Sequence, residues 1–287
     1  MNKMKKLLAL MLAAVMALSL AACNNSFEAK LAKAVKKAND VKSMHMDMDM
    51  NIAMSLSLMG ESLDMDMSME MGMDFQKEPM LAKMEAAISM MGMTKTILSY
   101  IERNGDGYTM YMSEDGSFWI KEDVDADEVP SQVDGMGVEQ LQLFLDCAKN
   151  FQEVGEETVN GSTATRYDGV IDGAYVAQAM EMTGALDMLD ESLGAGLDID
   201  GMEDLGGIPT SLWIDKKSGM IVRYDMDMTE IMGALTEGMM DAIMKEAGLG
   251  DFGLSFSLEI SDVTVSATLS NFDQVGEIVI PDAAKAA

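Results

Sequence analysis

The chain is poor in the residues that most chemistry needs. Its 287 residues hold one histidine, two cysteines and four prolines, and aromatics make up 6%. A Ser-His-Asp or Cys-His arrangement would have to use His45. That residue sits inside an alternating segment, on the polar side, with no pocket signal around it. No glycine-rich phosphate loop and no metal-type CxxC is present. The chain therefore reads as non-enzymatic, with no cofactor and no metal site. Asp123, Asp125 and Asp127 begin like a calcium loop, but Glu128 stands where glycine is needed and no glutamate follows at the twelfth position. Cations are scarce as well. There are 20 Lys+Arg against 49 Asp+Glu, a formal net charge of −29. Nucleic acid is excluded as a partner, because phosphate binding needs clustered Lys and Arg.

The two cysteines have different settings. Lys3, Lys5 and Lys6 precede an apolar run from Leu7 to Leu20, the layout of a secretory leader. The run is too short to cross a ~30 Å hydrocarbon core as a helix. It ends in Leu20-Ala21-Ala22-Cys23, which looks like a bacterial lipobox, with polar Asn24-Asn25-Ser26 after it. Residues 1–22 are then a leader that is removed, and Cys23 carries lipid that anchors residues 23–27 to the outer face of the cell membrane. Cys147 remains as the only free thiol. It lies in a helix expected over Val138–Phe151, with Val138, Leu141, Phe144 and Ala148 on one face, and reads as buried and inert.

The few cations cluster beside this anchor. Lys30, Lys33, Lys36, Lys37 and Lys42 accompany Leu31, Ala34, Val35 and Ala38, which are spaced for one helical face. An amphipathic helix with a basic side is expected. That side is either solvated or a contact for anionic headgroups, which attract such lysines at roughly 1 kcal/mol each. For the second reading the contacts are Lys30, Lys33, Lys36 and Lys37.

What the chain has in abundance is methionine, 34 residues in all. Met44, Met46, Met48, Met50, Ile52, Met54, Leu56 and Leu58 take every even position, with His45, Asp47, Asp49 and Asn51 between them. Met59-Gly60-Glu61-Ser62 breaks the pattern. The phase then flips to Leu63, Met65, Met67, Met69, Met71, Met73 and Phe75. Period-two alternation puts each set on one face of a strand, so a long antiparallel hairpin is expected, apolar on one side and acidic and solvated on the other.

Further strands are expected at Met84–Met90, Thr94–Arg103, Tyr108–Ser113, Ser117–Lys121 and Thr163–Ile171. Another hairpin joins Pro209–Asp215 to Met220–Met228, where Met220, Val222, Tyr224, Met226 and Met228 share a face. Helices are expected over Tyr175–Leu193 and Glu230–Ala247, with a loop at 194–207 between them. A last strand starts near Leu254, and its apolar phase shifts at Ser261-Asp262, as at a bulge. Residues 284–287 read as a frayed tail. Many one-sided antiparallel strands with a few helices imply an α+β domain, with helices covering the apolar side of a curved sheet.

The lipobox, the lysine-rich helix and the long hairpins are followed by Val159-Asn160-Gly161 to Arg166-Tyr167, Leu212-Trp213-Ile214-Asp215 and Asn271-Phe272 to Ile280-Pro281. Together they resemble the LolA/LppX-like bacterial lipoproteins and their uncharacterised Gram-positive relatives, over most of residues 27–283. The resemblance implies one domain over 28–283, a mostly antiparallel half-barrel sheet with helices on its concave apolar face, and a cavity suited to acyl chains. It carries no catalytic signature.

Three functions stay open. The favoured one is a membrane-anchored surface lipoprotein that binds or transfers an apolar ligand such as a lipid. Its lining would be Met46, Met48 and Met50 on the first arm, Met65, Met67, Met69 and Met71 on the second, and Tyr224 and Met226 from the later hairpin. Flexible thioethers adapt to ligands of varied shape. The second is a structural or interaction module whose methionine face is a closed core. The third is a Cu(I)-binding lipoprotein, because thioethers suit Cu(I) and Met44-His45-Met46 is an MxM with a central histidine.

Overall fold

The computed structural model describes residues 26–58, 61–105, 107–125, 148–173, 206–246 and 256–287. The leader, Cys23, Cys147, Asp127, the helix expected at Tyr175–Leu193 and nearly all of the loop expected at 194–207 lie outside them.

Helix α1 (Phe27–Asp40) is capped by Ser26, whose hydroxyl accepts from Ala29 N at 3.3 Å. Strands β1 (Ser43–Leu58) to β6 follow: β2 (Glu61–Lys77), β3 (Met80–Met90), β4 (Met93–Asn104), β5 (Gly107–Ser113) and β6 (Ile120–Val124). Then come β7 (Ala148–Val159), β8 (Ser162–Asp172), β9 (Gly207–Asp215) and β10 (Ile221–Asp227), helix α2 (Thr229–Glu246), β11 (Phe256–Ser270) and α3 (Asp282–Lys285). All eleven strands join one sheet in the order β6-β5-β4-β3-β2-β1-β11-β10-β9-β8-β7. The sheet is antiparallel throughout, open and curved.

The methionine alternation sets the register. Leu58 pairs with Glu61, and the flipped phase then places Met46 opposite Met73, Met48 opposite Met71 and Met50 opposite Met69. The shift at Ser261-Asp262 is a bulge: Ala53 faces Asp262, Met54 faces Ile260, and Ser261 is left between them.

Because neighbours are antiparallel, connections fall at two rims. One carries 77–80, 104–107, 159–162 and 215–221. The other carries 58–61, 90–93 and 113–120, together with the start of β7 and the end of β8. Two tight turns at opposite rims share a geometry. Asn160-Gly161 and Met91-Gly92 both have positive φ at the two loop residues, which suits the right-handed twist of a hairpin.

Among the described residues two helices pack against strands β7–β11 on the apolar side. Phe27, Leu31 and Val35 of α1 pack with Tyr167, Leu212 and Ile214. Ile231 and Leu235 of α2 pack with Ile171 and Ile208. The main contacts of these helices are with β7, β9, β10 and β11, not with the methionine arms β1 and β2.

Four expectations need correction. The helix expected over Val138–Phe151 does not extend to its end, since Ala148–Val159 is strand β7. Its bulged, glutamate-rich course gave no period-two signal. The strand expected at Ser117–Lys121 begins only at Ile120, because Asp115 binds the backbone and hydroxyl of Ser117 and the amide of Phe118 in a turn. These bonds hold the Asp115 carboxyl far below the usual carboxylate range. The face opposite the methionines is not wholly solvated. Residues 271–287 form a strap across it, with Ile278, Ile280 and Ala284 packed on Tyr100, Tyr111 and Trp119. Finally, the tail is not frayed at Ala284, which is fully buried within α3. Burial and a hydrogen bond to Glu102 push the Tyr111 phenol up to about 12.

Candidate functional site

Cross-strand pairing assembles the expected lining into one face. Tyr224 lies opposite Ala267, which lies opposite Met48, then Met71, then Ala86. A second row runs Met226, Val265, Met50, Met69, Ile88, and a third Leu269, Met46, Met73, Met84. Toward the second rim the rows end in Val263, Ile52, Met67, Met90 and in Ile260, Met54, Met65. All nine expected lining residues therefore share one side of the sheet. The sequence reading left Met73, Val265, Ala267 and Met84 out of the lining, although the same parity that selected Met71 would have found them. Ala267 and Ala86 are buried and short, so the face is shallowest where their row crosses it.

The burial of these side chains separates two readings. Met46, Met48, Met50, Met65, Met67, Met69, Met71, Tyr224 and Met226 are all half-buried. Among the described residues the buried methionines are Met80 and Met220; the core clusters are built from aromatic, branched aliphatic and alanine side chains, with Tyr224 packed against the α1 cluster and Met226 and Met228 against the α2 cluster. The face is apolar and only partly covered, and burial raises the Tyr224 phenol above its ordinary value.

His45 lies on the other side. Its Nδ1 is 2.7 Å from Asp74 and its Nε2 is 3.0 Å from Asp47. Gly72, opposite Asp47, leaves room for the ring. Strand alternation therefore separates the imidazole from the thioethers of Met44 and Met46. An MxM chelate with a central histidine cannot form on this hairpin. Among the described residues no three His, Cys, Asp or Glu are placed to hold a metal ion. Desolvation opposes the charged imidazole, but the two carboxylates outweigh it and raise the His45 pKa above 6.5. The stability this supplies is complete below the unfolded value and is lost as pH rises through the raised folded value. His45→Gln is expected to lower the urea midpoint more at about pH 6 than at about pH 9. An equal loss at both would show that the carboxylates do not favour the charged ring.

The lysines proposed for membrane contact divide into two pairs. Lys30 donates to Tyr167 Oη at 2.7 Å and pairs with Glu153 at 3.4 Å. The Tyr167 hydrogen bond leads in raising its pKa. Lys37 donates to the Ser218 carbonyl at the first rim. Lys33 and Lys36 are exposed. A basic membrane face made of all four would have to break two internal contacts.

On the polar side a groove of about 410 Å³ is lined by Asp49, Asp168, Asp225, Asp227, Ser211 and Ser266. Two of its carboxylates are engaged, Asp168 by Arg166 and Asp225 by Arg223. The two guanidiniums lie over the Trp213 ring, 5.1 and 4.8 Å from its centroid.

Residues 26–159 match the model of a family of unknown function (DUF6612). Among curated proteins none matches this sequence. Among solved structures the fold is similar to the lipoprotein LppX of Mycobacterium tuberculosis, at 16% identity and a TM-score of 0.43, over 88% of this chain and 100% of that one. It is also similar to LprF of Mycobacterium bovis, at 16% identity and a TM-score of 0.46, over 90% of this chain and 96% of that one. The likeness is one of fold.

Proposed function

We propose that this is a non-enzymatic, exported lipoprotein, tethered through lipid on Cys23, whose methionine-lined face binds or hands over an apolar ligand such as a lipid. One observation carries the reading. A continuous apolar face runs over β1–β3, β10 and β11, and its β1 and β2 methionines are half-buried and belong to no core cluster of the described residues. Such a face gains roughly 0.8 kcal/mol for each ligand CH₂ it removes from water. Unbranched thioethers repack around chains of different girth. The lipobox supports the tether. No described helix is long and apolar enough to cross a membrane.

The test is native mass spectrometry of the soluble body, residues 24–287, after incubation with membrane lipid extract and, separately, with Cu(I). Stoichiometric lipid adducts are expected, weakened by Met67→Trp, which places a larger ring in the row between Ile52 and Met90. Tight Cu(I) binding without a lipid adduct would overturn the reading in favour of a metal carrier. No adduct of either kind would leave an interaction module.

A further inference from the structure

The two rims of the sheet differ in chemistry. The first turns through Glu78-Pro79, Asn104-Gly105, Asn160-Gly161 and Lys216-Lys217-Ser218-Gly219. The second turns through Met90-Met91-Gly92-Met93 and through 113–120, where Phe118 and Ile120 follow the polar Glu114-Asp115-Gly116-Ser117. Nine large hydrophobic side chains are exposed among the described residues, and six of them, Leu63, Met90, Met91, Met93, Phe118 and Ile120, lie at or beside the second rim. Met91, Met93 and Phe118 are 62%, 70% and 73% exposed. None of the six belongs to a core cluster.

Backbone strain marks the same place. Met91 has φ +52° and Asn160 has φ +50° in equivalent turns. Asn tolerates the left-handed region, whereas a long side chain there is uncommon. The second rim keeps methionine where asparagine would suit the backbone, and points it into water. Strain held at an exposed apolar tip is better explained by a use for the side chain than by the turn.

The chain enters on the same side. Phe27, the first residue of α1, stacks on Phe151 with centroids 4.4 Å apart, and Phe151 is near the second-rim end of β7. Cys23 lies four residues earlier, a reach of at most ~14 Å.

We propose that the second rim docks on the bilayer itself, with Met91, Met93 and Phe118 entering the boundary between headgroups and acyl chains. The proposal rests on the tethered-lipoprotein reading for its geometry, and it adds the orientation. Burial of apolar side chains is the attraction, not charge. The rim's Lys95 is paired with Glu114 at 2.6 Å, and Glu61, Asp64 and Asp66 stand on the projecting β1–β2 hairpin, so anionic lipid gains nothing there. Docked in this way, Met90 belongs both to the rim and to the Ile52–Met67–Met90 row. The methionine face then runs unbroken into the lipid that supplies its ligand.

The test is flotation of the soluble body, residues 24–287, with phosphatidylcholine vesicles. This chain carries every described element and no lipid, so flotation reads the rim alone. Membrane retention of the lipidated protein reads the tether, and lipid adducts read the methionine face. The triple variant Met91→Asp, Met93→Asp, Phe118→Asp is expected to reduce vesicle partitioning by roughly tenfold or more. Asn160→Asp, Asn271→Asp, Gln274→Asp adds the same charge at the first rim and is expected to leave partitioning within about twofold. Circular dichroism of both variants should be unchanged, since the sites are exposed. Equal losses in the two triples would overturn the proposal. So would no vesicle binding by the parent chain, or binding that needs phosphatidylglycerol and disappears in salt, which would point to Lys33 and Lys36. A change of sedimentation in the second-rim triple, with vesicle binding intact, would assign the rim to self-association instead.

Discussion

Trp213→Ala is expected to destabilise the domain by about 3–5 kcal/mol, the range for emptying a large buried aromatic site. Trp213 is 2% exposed and packs with Val159, Ala164 and Val222 on the polar side of the sheet. Its Nε1–H donates to Glu157 at 2.8 Å. Arg166 and Arg223 lie over the ring, and each is drawn back to a carboxylate two residues along its own strand. Removing the ring opens a cavity and leaves two guanidiniums without the surface they cover. Trp213→Phe keeps much of the apolar surface and loses the Glu157 bond, so about 1 kcal/mol is expected. Urea unfolding followed by far-ultraviolet circular dichroism measures both. The idea fails if Trp213→Ala is as mild as Phe118→Ala, a change at a side chain 73% exposed.

Cys23→Ser has the largest expected effect on location. One acyl chain binds a bilayer with an association constant of only about 10⁴ M⁻¹, whereas two or three hold a protein stably. Loss of the thiol removes all of them. The mature protein is expected to move from the membrane pellet to the soluble fraction after washing, and its N-terminal peptide should carry no acyl mass. Rim docking is weak and reversible by comparison, so it does not rescue the pellet. Persistence of the variant in the washed pellet, with unchanged partitioning into detergent, would refute lipid on Cys23.

The parts of the fold that the sequence revealed are those where one period dominates. Met44 to Phe75 repeats every second residue and reverses phase across a short turn, so the faces and even the pairing of Met48 with Met71 could be read. The interruption at Ser261 was visible for the same reason. The candidate lining followed from parity and needed only extension to Met73, Met84, Val265 and Ala267. Strand β7 was hidden because edge strands have one partner and tolerate bulges. Its register slips between Lys149 and Gln152 and again between Glu153 and Gly155. The strap was hidden for another reason. Val275, Ile278 and Ile280 have no strand or helix period, and their partners Tyr100 and Tyr111 fall on the side expected to be wet. The lysines of α1 were correctly placed on a helix, but the carboxylate and phenol that hold Lys30 come from β7 and β8, more than 120 residues away.

The strap also bears on how the sheet can flex. At one end Asp273 N donates to Ser43 O at 2.7 Å, while its carboxylate accepts from Lys42 N at 2.7 Å. At the other end Ile280 and Ala284 are buried against β4 and β5. Covalently continuous with β11 and seated on a strand five places away, this segment acts as an inextensible brace across the β1–β5 half. Bending that half further, or flattening it, would pull one seat loose. Breathing of the backbone is therefore restrained where the methionines are densest. On the proposed ligand-binding reading, accommodation of guests of unequal width would fall to rotation about thioether side-chain bonds, a soft lining on a stiff frame.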